Sequence, residues 1–157
     1  MKSLQLLSHT IEQTLELGSR LGQNLSQNHC ICISGELGAG KTTFVRGVGQ
    51  GWQSIDRITS PTYTIINVYR RQPDTQTLYH LDAYRLESPH DFETIGYEDL
   101  TNGPIIIEWP ERIEEFLPTE RLLITIDYLD ETQRLLTVTA YGSHHEALLD
   151  TFNPKGI

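Results

Sequence analysis

A short apolar run, Cys30-Ile31-Cys32-Ile33-Ser34, leads into Gly35-Glu36-Leu37-Gly38-Ala39-Gly40-Lys41-Thr42, and Thr43-Phe44-Val45-Arg46 follows. The eight residues from Gly35 to Thr42 satisfy the phosphate-loop pattern G-x-x-x-x-G-K-[ST], which has meaning only between a strand and a helix. Both flanks comply. The apolar run bounded by Gly35 suits a buried parallel strand, and the residues after Thr42 can open a helix. The glycines let the backbone turn tightly, so that successive N–H groups face anionic oxygens. Lys41 then reaches the β- and γ-phosphates, the Thr42 hydroxyl ligates Mg²⁺, and the helix adds its positive end. A plain glycine-rich turn is the competing reading.

The rest of the chain reads as further elements of an α/β domain. Met1 to Leu7 suits an edge strand. A helix is predicted from about Thr10 to Leu25, with Thr10 and Gln13 as a capping box. The helix after the glycine loop is predicted to end near Gly47 to Gly51. Asp56 to Pro61 reads as a short extended piece. Thr64–Tyr69 and Thr77–Leu81 form a hairpin around Gln72-Pro73-Asp74. Ser88-Pro89 starts a helix, Pro104 to Glu108 is a buried strand, and Pro110 to Phe116 a short helix. Arg121–Tyr128 and Arg134–Ala140 make a second antiparallel pair, and Ser143 to Phe152 a closing helix. The expected fold is therefore P-loop NTPase-like: a parallel central sheet with antiparallel additions and flanking helices.

Composition narrows the function. A chain of 157 residues suits one domain with a real core. No stretch approaches a membrane-spanning length, and the first residues hold too little apolar sequence for a signal peptide, so a cytoplasmic location is expected. Cys30 and Cys32 share one strand face and read as small core residues in a reducing compartment. His144-His145 reads as solvated side chains in a polar tail. Net charge is −9, and from Asp82 to Glu131 fourteen acidic side chains face three basic ones. Direct gripping of nucleic acid leaves a basic footprint, which is absent. The acidic stretch is a solvated surface or a face for a basic partner protein.

A phosphate-bound Mg²⁺ needs hard oxygen ligands, and hydrolysis needs a group to orient water. In an open parallel sheet such groups stand at the carboxyl ends of strands. Asp82 follows Leu78-Tyr79-His80-Leu81, and Glu108 follows Ile105-Ile106-Ile107. Either suits the acid of a Walker B strand; the alternative for each is a strand-end acid capping a turn. Ser60-Pro61-Thr62-Tyr63-Thr64 stands where nucleotide switches place a hydroxyl-bearing loop, although spacing alone favours a plain Ser-Pro turn. Trp109 covers the nucleotide, docks a partner, or is a half-buried core indole. Arg85 and Arg134 are candidates for neutralising phosphate or stacking on a base.

Taken together, these segments resemble the TsaE family, small ATPases of bacterial tRNA threonylcarbamoyladenosine (t6A) synthesis. The resemblance is carried by Gly35 to Thr43, by Ser60-Pro61-Thr62-Tyr63-Thr64, by His80-Leu81-Asp82-Ala83-Tyr84-Arg85-Leu86 and by Glu108-Trp109-Pro110-Glu111-Arg112. It implies an ATP–Mg²⁺ site with Leu37, Gly38, Ala39, Gly40, Lys41, Thr42 and Thr43 around the phosphates, and Thr42 and Glu108 on the metal. Asp82 would stand near the γ-phosphate or its water, making Lys41, Asp82 and Glu108 the catalytic set. Ile11 and Arg134 would border the base, and Ser60, Thr62, Thr64 and Trp109 would serve as switch or partner-facing residues. The resemblance further implies work with TsaD and TsaB, contact with tRNA only through them, and hydrolysis that resets the assembly between turnovers. Two other functions compete. A small-molecule kinase would need an Arg-rich lid, which the acidic second half does not supply. A non-catalytic nucleotide switch would bind and not hydrolyse. The guanine-reading Asn-Lys-x-Asp pattern is absent, which favours ATP.

Overall fold

The computed structural model describes residues 1–61 and 65–152. Thr62, Tyr63 and Thr64, expected in the switch segment, lie outside the described residues. Among the described residues, seven strands join one sheet: β1 (Lys2–Ser8), β2 (Cys30–Ser34), β3 (Ile66–Arg70), β4 (Thr77–Asp82), β5 (Ile105–Glu108), β6 (Arg121–Tyr128) and β7 (Arg134–Tyr141). Their order across the sheet is β1-β7-β6-β2-β5-β4-β3. The centre is parallel, β2 pairing with β5 and β6, and β5 with β4. β1, β7 and β3 pair antiparallel at the flanks. The expected parallel centre with antiparallel additions is the architecture found. No helix among the described residues is long and apolar enough to cross a membrane.

Strand alternation sends successive side chains to opposite faces, and this sorts two cores. Ile31, Ile33, Leu78 and Ile106 pack with Leu21 of α1 (Ile11–Gln23), Phe44 and Val48 of α2 (Lys41–Trp52) and Phe152 of α4 (Ser143–Phe152). Cys30, Cys32, Leu81, Ile105 and Ile107 pack on the other face with Phe92 of α3 (Pro89–Thr94) and Ile113. Both cysteines are buried and free, on one face as expected. Thr10 caps α1 by accepting from the Gln13 amide at 3.1 Å. The reciprocal bond is displaced by one residue, Gln13 Oε1 accepting from the His9 amide at 2.7 Å.

The helix carrying Lys41 ends at Trp52, one residue past the expected Gly47-to-Gly51 end, while the expectations for Pro110–Phe116 and His145 need correcting. Gly18 and Gly22 of α1 face Gly47 and Gly51 of α2, and the two backbones touch. A Cβ on Gly22 would lie 2.1 Å from the Val48 carbonyl oxygen, and one on Gly51 would lie 1.9 Å from that of Ser19. These glycines are packing surfaces rather than helix ends. Pro110–Phe116 is a 3₁₀ run broken at Ile113, whose backbone is not helical. Finally, His145 is not solvated. It is 1% exposed, and its Nε2 accepts from the Cys30 backbone amide at 3.0 Å. His144 is exposed and stacks on His29 with ring centroids 4.3 Å apart. The Asp56–Pro61 piece joins no strand; an isolated bridge pairs Ser54 with Arg71 just before it, and Asp56 ion-pairs with Arg70 at 2.8 Å.

Candidate functional site

Parallel strands β2, β4 and β5 end on one edge of the sheet, and the chain that leaves β2 there is the glycine loop. Gly38 and Gly40 hold φ of +81° and +106°, which is left-handed backbone that favours glycine. Among the described residues, nothing lies within 4 Å of where a Gly38 Cβ would stand. The loop is therefore open on its outer side. A cleft of about 510 Å³ opens over it, lined by Ile11, Leu37, Gly38, Gly40, Lys41, Thr42, Thr43, Ser60, Asp82, Tyr84, Arg85, Glu108, Trp109 and Arg134. Residues far apart in sequence meet here because register dictates it. Asp82 of β4 sits directly opposite Glu108 of β5, on the face that α2 covers.

Lys41 is buried at the first position of α2. Its ammonium donates to the Gly35 carbonyl and lies 3.9 Å from the centre of the Trp109 ring. Burial lowers its pKa, and the carboxylates of Glu108, Glu111, Asp82 and Glu36 act against that shift. Burial also raises the Asp82 carboxyl; the Tyr84 amide, donating to Asp82 Oδ1 at 2.9 Å, opposes this, and nearby Glu108 adds to it. Glu108 is 4% exposed, and its Oε2 meets His80 Nε2 at 2.5 Å. Trp109 takes a left-handed backbone, φ +58°, directly after β5, and its ring lies 4.9 Å from that of Tyr84.

The expected residues divide plainly. Lys41, Asp82 and Glu108 converge at the base of the cleft, with Thr42 exposed beside them. Ile11 and Leu37 stand at the cleft as exposed apolar side chains, 55% and 77% accessible. Arg134 lines the cleft but is tied down. Its Nε donates to the Ala39 carbonyl at 2.7 Å, and its guanidinium lies 4.7 Å from the Tyr128 ring. Ala39 is buried and does not line the cleft; its carbonyl is held by Arg134. Ser60 and Trp109 line the cleft, whereas Thr62 and Thr64 lie outside the described residues. Two residues escaped the sequence reading. Tyr84 lines the cleft, and His80 engages Glu108 from beneath. His80 was findable, because a residue two before Asp82 on a strand shares its face.

The donors suit a magnesium nucleotide. Thr42, Asp82 and Glu108 offer hard oxygens, a buried cation stands beside them, and the glycine loop and the α2 N-terminus offer backbone amides. Against protein families, residues 8–136 match the family described as "Threonylcarbamoyl adenosine biosynthesis protein TsaE". The chain belongs to the TsaE family. Among its relatives, a TsaE protein of Bacillus subtilis is 34% identical over 152 residues, covering 96% of this chain and 94% of the relative. One from Nostoc sp. is 38% identical over 148 residues, covering 89% and 88%. The crystal structure of Bacillus subtilis YdiB superposes with a TM-score of 0.75 at 31% identity, covering 96% of this chain and 94% of that one. TsaE membership places the chain in the biosynthesis of the tRNA modification t6A.

Proposed function

We propose that the cleft binds ATP with Mg²⁺ and hydrolyses it slowly, and that this ATPase serves t6A formation in the cytoplasm by acting on a complex of TsaD and TsaB. The observation that carries the reading is the convergence of Lys41, Asp82 and Glu108 around an open glycine loop. Lys41 would hold the β- and γ-phosphates once released from the Gly35 carbonyl, with the loop amides around them. Thr42 and Glu108 would hold the metal, which supplies charge neutralisation at the transferring phosphoryl group. Asp82 would orient the attacking water; its raised pKa suits a group that manages a proton. Ile11 and Leu37 offer apolar surface to a base, and Arg134 stiffens the loop through Ala39.

The acidic balance of the chain supports contact with tRNA through partners rather than directly. Calorimetry on Lys41→Ala tests the nucleotide half: affinity for ATP is expected to fall at least tenfold, and unchanged binding refutes it. Hydrolysis by the chain alone and with TsaD and TsaB tests the other half. A rate that rises with the pair, in a co-eluting complex, is the expected result. Binding without turnover in either condition would leave a nucleotide switch instead.

A further inference from the structure

The Glu108 carboxylate does not end at His80. His80 is 1% exposed, and its other ring nitrogen, Nδ1, meets the Tyr69 hydroxyl at 3.0 Å. Tyr69 is 3% exposed, and its hydroxyl donates to the Thr59 carbonyl at 2.9 Å while the Thr59 amide approaches it at 3.3 Å. Asn67 Nδ2 adds a second donor to the same carbonyl at 3.2 Å. The chain crosses three strands by register. His80 pairs with Ile106, which puts its ring diagonal to Glu108; Tyr69 pairs with Leu78, which puts it diagonal to His80. One end is the acid at the base of the cleft. The other is the backbone immediately before Ser60, which also lines the cleft.

A polar chain in this position has a cost. The same sheet face is otherwise filled by Leu78, Ile106 and Ile58. A buried polar chain of this kind gains little over well-packed hydrocarbon of similar volume. What the chain adds is geometry: it fixes one Glu108 oxygen and the peptide at residue 59 relative to each other.

We propose that His80 and Tyr69 are positioning residues, coupling the orientation of Glu108 to the Ser60 edge of the cleft. The metal part of this proposal rests on the reading of the cleft as an ATP–Mg²⁺ site. Neither residue lines the cleft, so neither touches a nucleotide. Their loss acts through Glu108 and through Thr59.

Two measurements test it on the whole chain. In the first, ADP affinity is measured with Mg²⁺ and with EDTA. Tyr69→Phe removes one hydroxyl and keeps the ring; it is expected to weaken binding about 5- to 10-fold with Mg²⁺ and less than 2-fold with EDTA. His80→Gln is expected to show the same metal-specific loss, and a folded Tyr69→Phe with wild-type binding in both conditions overturns the metal part. In the second, amide hydrogen exchange at Thr59 is followed without nucleotide. Glu108→Gln is expected to accelerate it about fivefold, although residue 108 is three hydrogen bonds away. Unchanged exchange overturns the coupling. A wild-type chain that binds no nucleotide overturns the reading of the cleft, and the exchange measurement then decides the coupling by itself.

Discussion

Replacing Gly22 by Ala sets two well-known effects against each other. Helix propensity favours the change by about 1 kcal/mol, because glycine loses more backbone freedom on folding than alanine. Packing opposes it. The new Cβ would stand 2.1 Å from the Val48 carbonyl oxygen and 2.8 Å from the Trp52 amide nitrogen, where ordinary contact begins at 3.4 Å. Both neighbours are backbone of α2, so no rotamer change relieves the overlap. The helices must part by roughly 1 Å, and a gap of that size forfeits a quarter to a half of each dispersion well along the seam. Leu21, Phe44 and Val48 are fully buried there and bear the loss. Overpacking of this kind costs about 1–3 kcal/mol and occasionally more, and the added seam loss puts Gly22→Ala near the top of that range. After the propensity gain the net is a destabilisation of about 2 kcal/mol, or roughly 4–8 °C in melting temperature for a chain of this size. Thermal and urea unfolding measure it, with Gln50→Ala on the exposed side of α2 as the neutral comparison. Gly18→Ala meets the Phe44 carbonyl oxygen at 2.3 Å and should behave alike. Once one alanine has parted the helices the second costs less, so the double substitution should fall short of the sum by at least about 0.5 kcal/mol. A Gly22→Ala chain that melts at or above the wild-type temperature would refute the seam argument, since propensity alone would then have decided the sign.

One residue past Trp52, at the C-cap of α2, the sign reverses. Gln53 holds a left-handed φ of 71° as the helix closes through Ser54 N–H to the Gly49 carbonyl at 2.9 Å, so Gln53→Gly should stabilise by about 0.5–1 kcal/mol in the same unfolding assays. Acid should destabilise the fold through the histidine cluster. Burial lowers His29 and His145 from 6.5 to about 4, and positive charge on neighbouring His144 opposes protonation of both. The unfolded chain therefore binds these protons first, and stability is full above about pH 6.5 and falls as pH drops toward 4. Unfolding free energies from urea titrations at pH 7 and pH 5 should differ by roughly 2 kcal/mol, discounted for solvent reaching the cluster's edge, and His145→Asn should flatten that slope.

Much of the architecture was legible because it is written in short-range signals. The β2 run, the glycine loop and the Ser88 and Thr10 caps each declare themselves within a few residues, and the described strands fall within two residues of their expected limits. The site was legible for the same reason: a strand-end acid after an apolar run is a local pattern, and Asp82 and Glu108 both meet it. What failed was anything decided by a partner element. That Gly47, Gly49 and Gly51 are packed where α1 and Ile58 leave no room for side chains carried no local signal; tertiary contact decides it. His145 read as solvated until the Cys30 amide supplied a donor 115 positions away in sequence. The alternation of β4 put His80 on the face of Asp82, but that its partner is Glu108 depends on which strand lies beside β4.

The glycine seam and the cleft share one helix, and this links stability to function. Lys41 and Thr42 open α2 at the cleft, and the body of the same helix is clamped to α1 through backbone contacts that tolerate no added atom. A hydrophobic seam of larger side chains could slip by a rotamer; a backbone-to-backbone seam cannot. The seam thereby holds α2, which carries Lys41 at its start, rigidly against α1. The moving parts are then side chains: Lys41 must leave the Gly35 carbonyl and the Trp109 ring to meet a phosphate. Under the ATP–Mg²⁺ reading proposed above, a rigid frame with a releasable lysine predicts that a loosened seam weakens nucleotide binding as well as lowers the melting temperature.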